Sequence, residues 1–108
     1  MVHVHVLTDD LMFGSRLQAD LVRADHQVTL GMAPDPSADV IVADLTHDPE
    51  AALAALGATH PPTLAFFSHV EPAVRERALA AGVDVVVPRS RIAREGPALV
   101  AALVATAR

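Results

Sequence analysis

The chain has 108 residues and a net charge of −5, and all eight of its basic residues are arginine. This length fits one domain with a single core, the apolar content of 52% argues against a disordered chain, and the absence of cysteine excludes disulfides and thiolate metal sites. The acidic balance argues against nucleic acid as a partner, no apolar run is long enough to span a membrane, and no secretory signal is evident, so we expect a cytoplasmic protein.

Three strands and one helix are predicted in the first half of the chain. The spacing of Phe13, Leu17 and Leu21 is typical of a helix that buries one face. The third strand has the continuous apolar character of a strand buried on both faces. The predicted elements are a strand at 2–7 ("VHVHVL"), a helix at about 11–24, and strands at 27–32 ("QVTLGM") and 38–45 ("ADVIVADL").

The second half of the chain alternates helices and strands with clear end signals. Asp48 is a natural N-cap, Pro49 suits the first helical position, and Gly57 suits the end of the same helix. The next elements are a strand at 63–67, a helix within 71–82, a strand at 83–87 and a last helix that begins at Pro97. Alternation of this kind predicts an α/β fold, a parallel sheet with helices on both faces.

One connection is too short for the helix that normally joins parallel strands. Only residues 33–38, "APDPSA", join the second and third predicted strands, whereas a helical crossover needs at least about 10–12 residues. The two prolines suit an extended path and not a helix. We therefore expect a crossover without a helix. Without a helix over it, the second strand would leave some of its apolar side chains uncovered, from the set Val28, Leu30 and Met32. The resulting groove would be available to a partner.

Polar residues collect where the predicted strands end. Asp9 and Asp10 follow the first strand, and Asp44 ends the third. Ser68 follows the fourth strand and Arg89 follows the fifth. The carboxyl ends of parallel strands share one rim, where open α/β sheets bind ligands. Three neighbouring carboxylates repel one another, and a hard dication such as Mg²⁺ relieves that repulsion.

Plainer interpretations of the same residues stay open. The pair Asp9–Asp10 is also what a solvated turn with a helix N-cap would need, and Ser68 suits a helix cap equally well. Arg89 is compatible with an ordinary surface charge. The convergence of three acids, a hydroxyl and a cation on one rim favours a binding site for a metal ion over these plainer interpretations.

On these residues the chain resembles the receiver domain of two-component response regulators over essentially its whole length. That family has a flavodoxin-like (CheY-like) fold, a three-layer sandwich with five parallel strands in the order 2-1-3-4-5. Its acid pair matches Asp9–Asp10, its phosphoacceptor matches Asp44, its hydroxyl matches Ser68, and its basic residue after the fifth strand matches Arg89.

The resemblance implies a stand-alone receiver, a single domain over residues 1–108 with no output domain. Asp44 would take phosphoryl from a histidine kinase, and Mg²⁺ would be held by Asp9, Asp10, Asp44 and the backbone carbonyl of Thr46. The partner would be a histidine kinase or another signalling protein. No Gly-rich phosphate loop, Walker signature or GxSxG elbow occurs, so we do not expect an enzyme with free turnover.

Several positions depart from the family's pattern. Arg89 stands in place of lysine and follows Pro88 instead of preceding a proline, His69 follows the hydroxyl residue, and Val86 takes the place of the switch aromatic. These departures indicate either an atypical receiver or a pseudo-receiver that binds a partner without being phosphorylated. A flavodoxin-like module that binds a small ligand at the same rim is a further alternative.

The last helix carries more apolar positions than one buried face needs. The pairs Leu99/Leu103 and Val100/Val104 together form a wide apolar stripe. Exposed apolar surface usually marks an interface. A homodimer is therefore expected through the last helix and the fifth strand, or through the groove beside the second strand.

Overall fold

The computed structural model describes residues 2–57, 60–68 and 72–106. Within them all strand pairs are parallel, and the strands lie in the order β2-β1-β3-β4-β5. The elements are β1 (His3–Leu7), α1 (Leu11–Arg23), β2 (Gln27–Gly31), β3 (Val40–Asp44), α2 (Pro49–Leu56), β4 (Thr63–Phe67), α3 (Pro72–Ala80), β5 (Val85–Pro88) and α4 (Arg89–Thr106). The predicted α/β class and the strand order implied by the resemblance are both confirmed.

Alternation along the strands produces a core on each side of the sheet. Val4 and Val6 of β1 point to one face, where α1 and α4 pack against them. Leu7 points to the other face and joins Ile41 and Ala43 of β3 in a second core with side chains of α2 and α3. The sheet is thus the middle of three layers, as expected for this fold class.

The crossover between β2 and β3 carries no helix, as its length predicts. The loop is fastened to β1 by two hydrogen bonds between Asp39 and the backbone of His3. His3 N donates to the side-chain Oδ2 of Asp39 at 2.8 Å, and Asp39 N donates to His3 O at 2.8 Å. The expectation that the apolar side chains of β2 lack cover is wrong for Val28 and Leu30, which pack against the core beside α1. It is correct for Met32, which is 72% exposed.

Polar side chains occupy the face of β1 and β2 that a crossover helix would cover. His5 is only 5% exposed, its Nε2 lies 2.7 Å from the carbonyl oxygen of Ala33, and its Nδ1 lies 2.7 Å from Thr29 Oγ1. His3 Nε2 lies 2.9 Å from the same Thr29 oxygen. A carbonyl only accepts, so His5 Nε2 donates to Ala33, and a neutral His5 ring then accepts the Thr29 hydroxyl proton at Nδ1. This network satisfies the buried polar atoms under the loop.

The last helix begins earlier than its sequence predicts. α4 starts at Arg89, directly after β5, and its backbone leaves the helical region at Glu95 (φ −126°, ψ 16°). Pro97 explains the break, because its ring clashes with the carbonyl of Ala93 and it can begin a second helical segment. No helix in the described part of the chain is long and apolar enough to cross a membrane.

The apolar surplus predicted on α4 is largely covered. Val100 and Leu103 are buried, and Leu99 and Val104 are partly buried against the same core. Between Pro97 and Thr106 the exposed residues are Ala98, Ala101, Ala102, Ala105 and Thr106. Self-association through α4 therefore would use a small-residue surface and not the wide stripe of Leu and Val side chains.

Candidate functional site

The site lies at the carboxyl ends of β1 and β3. β2 and β3 flank β1 on opposite sides, so the direction of chain progression reverses between β1 and β3. In open α/β sheets this reversal opens a crevice in which ligands bind. Thr8, Asp9 and Asp10 follow β1 at this point, and Asp44 is the last residue of β3.

Asp44 is held deep in the rim by neutral donors. Its side chain is 8% exposed. The Thr8 hydroxyl donates to Asp44 Oδ2 at 2.6 Å, and the backbone N–H of Thr46 donates to Oδ1 at 2.8 Å. The Thr8 hydroxyl in turn accepts from the backbone N–H of Asp10 at 3.0 Å, which fixes the direction of its own proton. Both carboxylate oxygens of Asp44 thus have a donor, and none of the described salt bridges involves Asp44.

Asp10 acts both as a helix cap and as the partner of Arg89. Its Oδ1 accepts from the Phe13 N–H at 3.0 Å, and its Oδ2 accepts from Arg89 Nη2 at 2.8 Å. The Phe13 N–H, followed by Arg89, holds the pKa of Asp10 below its ordinary value because both favour the charged carboxylate. The Arg89 guanidinium also lies 4.3 Å from the centroid of the Phe13 ring. Phe13 stacks in turn on the buried Phe66 with centroids 4.9 Å apart.

Asp9 is paired with a histidine from the loop after β3. His47 Nδ1 lies 3.1 Å from Asp9 Oδ1, and both side chains are exposed. The hydrogen bond with Asp9, and then the charge of Asp9 and those of Asp44 and Asp10, raise the pKa of His47. His47 therefore holds a proton to higher pH than an ordinary histidine and brings positive charge to the acid rim.

The three acids are close neighbours, but their arrangement is not that of a metal cup. Asp10 is matched with Arg89, Asp9 with His47, and Asp44 with two neutral donors. In the part of the chain that the structure describes, no group of three or more His, Cys, Asp or Glu side chains is placed to hold a metal ion. In this arrangement each acid already has a partner, so Mg²⁺ would have to displace Arg89 or His47, and magnesium binding stays a prediction that titration can check.

The remaining predicted site residues differ in how they meet the rim. Thr46 donates its backbone N–H to Asp44, and its Oγ1 is buried without a hydrogen-bond partner among the described residues. Ser68 is exposed directly after β4, and no hydrogen bond among the described residues joins it to Asp44. Arg89 contacts Asp10, the partner not specified by the sequence. His69 lies outside the described residues.

Thr8, Phe13 and His47 take part in the site although the sequence did not assign them these contacts. A threonine between a buried strand and two acids is the signal for Thr8, because a strand-end hydroxyl can bridge adjacent strands. Phe13 comes three residues after an N-cap, where its ring can cover the rim. His47 comes three residues after Asp44, close enough for its ring to reach the acid pair after β1.

No protein-family model matches the chain, and no curated protein matches it. Solved receiver domains match its whole fold. The receiver domain of the Francisella response regulator 1452 has a TM-score of 0.82 at 15% identity and covers 100% of both chains. A CheY-like receiver domain from Methanospirillum hungatei has a TM-score of 0.82 at 11% identity, with 98% of this chain and 95% of that chain covered.

A response regulator receiver protein from Burkholderia phymatum gives the same result, with a TM-score of 0.78 at 19% identity and coverage of 97% and 96%. The chain therefore has the fold of the CheY-like response regulator receiver domains from one end to the other.

Proposed function

We propose that the chain is an atypical receiver module of two-component signal transduction that acts by docking a partner protein, a histidine kinase or another signalling protein. The observation that carries the proposal is the position of Asp44. It ends β3 beside the switch point of a receiver-like sheet, with Asp10 and Arg89 on the same rim. A carboxylate at this point is deep enough to be shielded from bulk water and close enough to the surface to meet a partner.

Asp44 is the proposed phosphoacceptor. In transfer from a phosphohistidine, a carboxylate oxygen of Asp44 attacks phosphorus, the P–N bond breaks, and the leaving imidazole keeps the electron pair of that bond. Thr8 and the Thr46 N–H fix the orientation of the attacking carboxylate. In the described rim Arg89 donates to Asp10, and its guanidinium would have to turn toward Asp44 to stabilise the phosphoryl group, so this rim corresponds to a resting state under the proposal.

Chemical phosphorylation tests the proposal directly. The chain is incubated with acetyl phosphate, with and without Mg²⁺, and its intact mass is measured. We expect the gain of one phosphoryl group in the presence of Mg²⁺, and its loss in Asp44→Asn. Asp48→Asn is the matched control, because it removes a nearby carboxylate while keeping a residue that can cap α2. Equal labelling of Asp44→Asn would contradict the assignment.

A second candidate is a pseudo-receiver that docks its partner without phosphorylation. The pairing of Asp10 with Arg89 and of Asp9 with His47 favours it, because the two acids are then engaged and not open to a metal ion, and Arg89 is not directed at a phosphoryl group. The DrrB receiver domain has been solved in a BeF3-activated form, so BeF₃⁻ is a suitable second probe. This candidate would be supported if the folded chain gives no phosphoryl adduct and its amide NMR signals do not shift when BeF₃⁻ is added.

Self-association belongs to the same proposal. A second copy could use α4 with β5, or the surface beside β2 where Met32 is exposed. Light scattering over a range of protein concentrations checks this prediction. A strict monomer at high concentration would leave a different signalling protein as the partner.

A further inference from the structure

A groove lies beside Asp44 because the crossover to β3 has no helix. It has a volume of about 230 Å³ and opens between Met32 and α2. We call it the crossover groove. Its lining consists of an apolar wall (Leu7, Met32, Ala51, Ala52 and Ala55) and a polar end (Thr8, Asp9, Asp44, His47 and Asp48).

The α2 side of the groove wall consists of the small side chains of Ala51, Ala52 and Ala55. α2 reads "PEAALAAL" and buries only Leu56 fully, so it presents methyl groups instead of long side chains to the opening. Ala52 and Ala55 are partly buried, and Ala51 is exposed. Met32 stands opposite with a flexible, polarisable side chain that adapts to what it covers. The wall therefore suits an unbranched aliphatic chain.

The polar end of the groove carries more negative than positive charge. Asp9, Asp44 and Asp48 line it together with a single basic side chain, His47, which is paired with Asp9. Asp48 Oδ1 accepts from the Ala51 N–H, and no described salt bridge involves Asp48 or Asp44. A carboxylate as buried as Asp44 is best compensated by a cation.

We propose that the crossover groove docks a partner protein by receiving one of its arginine or lysine side chains. The aliphatic stem lies along Ala51, Ala52 and Ala55, and the cationic head reaches the carboxylates of Asp9, Asp44 and Asp48. The inference rests on the proposed function as a partner-docking module and names the partner's chemistry, a basic surface complementary to an acidic rim.

The size and charge of the groove favour this occupant over others. A volume of about 230 Å³ holds roughly eight water-sized groups, which matches one long side chain and falls below the range for drug-sized ligands. A second copy of the chain, at a net charge of −5, is repelled at long range. A basic partner is attracted by the same field.

Amide NMR titration of the whole chain with a model side chain tests the inference. The probe is N-acetylarginine amide, with N-acetylnorvaline amide as the uncharged stem and guanidinium chloride as the head alone. We expect saturable shifts at the amides of Ala51, Ala52 and Ala55 with the arginine probe, and neither control should reproduce them. Added salt should weaken binding, because the attraction is between exposed charges.

Matched variants on α2 separate the wall from the charge. Ala51→Leu fills the groove, whereas Ala54→Leu adds the same atoms at an exposed position that does not line it. Asp48→Ser removes the charge and keeps a capping oxygen, whereas Glu50→Gln removes a charge from the same helix outside the groove. Asp48→Ser should weaken binding about threefold, a typical loss for one exposed ion pair. Ala51→Leu should weaken binding by occupying the groove, and the two controls should leave it unchanged.

Several results would overturn the inference. These are the absence of saturable shifts, equal shifts with the norvaline control, or equal weakening by Ala54→Leu and Ala51→Leu. A dimer in light scattering that Ala51→Leu dissociates would assign the groove to a second copy. The NMR titration does not require phosphorylation of Asp44, so the two experiments can fail independently. If acetyl phosphate does not label the chain, the proposed groove binding is unaffected. If the arginine probe does not bind, the assignment of Asp44 as phosphoacceptor is unaffected.

Discussion

Arg89 is bound to Asp10 and not to the neighbouring Asp44. Its Nη2 donates to Asp10 Oδ2 at 2.8 Å, and this bond joins the end of β5 to the start of α1. Arg89 Cζ also lies 4.3 Å from the centroid of the Phe13 ring, so a cation–π contact supports the guanidinium in this position. Arg89 thereby supplies a positive charge from within the chain to the acid rim.

Replacement of Arg89 should remove part, but not all, of the lowering of the Asp10 pKa. Arg89→Gln should raise the pKa of Asp10 toward its ordinary value of 3.8, but the pKa should stay below that value because the Phe13 N–H still donates. A lowered pKa contributes stability above the ordinary value, and that stability is lost as pH falls through the lowered pKa. The variant should therefore lose less stability on acidification. Carboxyl-carbon NMR titration measures this.

The matched control for this experiment is Arg91→Gln. Arg91 lies two residues further along the same helical segment and pairs with Glu95. Its loss should leave the titration of Asp10 unchanged. An equal change in both variants would mean that Arg89 acts only through the general field of the chain.

Thr8 should stabilise the rim through its hydroxyl. Thr8→Val keeps the shape of the side chain but leaves Oδ2 of Asp44, a nearly buried carboxylate, without its donor. We expect a loss of about 1–3 kcal/mol in the free energy of unfolding, measured with urea at neutral pH. Thr8→Ser keeps the hydroxyl and should cost much less. The double variant with Asp44→Asn should show coupling between the two positions, and strict additivity would argue against the bond.

His47 should make stability depend on pH through Asp9. Its pKa is raised above the ordinary 6.5, chiefly by the hydrogen bond with Asp9. The pair contributes stability that is fully present below the ordinary pKa and is lost as pH rises through the raised pKa. Asp9→Asn should return the pKa of His47 toward its ordinary value and reduce this dependence, while the charges of Asp44 and Asp10 keep part of the shift. Proton NMR titration of the His47 ring measures the shift, and urea unfolding at about pH 5.5 and about pH 9 measures the stability.

A control at the opposite end of the sheet separates local from general charge effects. Asp25 follows α1 and has a positive φ of 67°, a conformation that asparagine also tolerates. Asp25→Asn removes the same charge as Asp9→Asn and should not move the titration of His47. A similar shift in both variants would assign the raised pKa to net charge.

Thr29 should hold the helix-free crossover in place. Thr29→Val keeps the side-chain shape and removes the hydroxyl that contacts both His3 and His5. We expect a loss of about 1–3 kcal/mol, because ring nitrogens under the loop lose a partner, together with faster proteolysis in residues 32–39. Thr29→Ser should restore both properties. A variant as stable and as protease-resistant as the wild type would show that the Thr29 hydroxyl does not hold the loop, which would then depend on the bonds made by Asp39 and by His5 to Ala33.

Local sequence patterns predicted the elements because each carries its own signal. The apolar run at β3, the Asp48–Pro49 start of α2 and the short crossover depend on neighbouring residues only. The helical segment between Arg89 and Glu95 was missed because it contains few apolar residues and is followed by Pro97, which marked the start of the last helix. Its only buried large side chain is Ile92.

Contacts between distant residues were harder to predict. Alternation places His3 and His5 on one face, but their shared partner Thr29 follows only from the register that sets His5 opposite Thr29. Arg89 has a long side chain that can reach more than one carboxylate of the same rim, and its position beside Asp10 is supported by the cation–π contact with Phe13. The convergence of the acids was predictable from topology, whereas their pairing with cations required side-chain geometry.

The helix-free crossover also sets where the native state opens first. Among the described residues β2 is an edge strand that pairs with β1 alone. The loop that follows it covers its second face with polar groups instead of a packed helix. The apolar contacts that must break for β2 to detach are those of Val28 and Leu30 on the α1 side, both only partly buried, whereas β3 and β4 are buried along their whole length. Amide hydrogens of β2 should exchange with solvent through a local fluctuation at far lower free energy than those of β3, which exchange only when the whole domain unfolds.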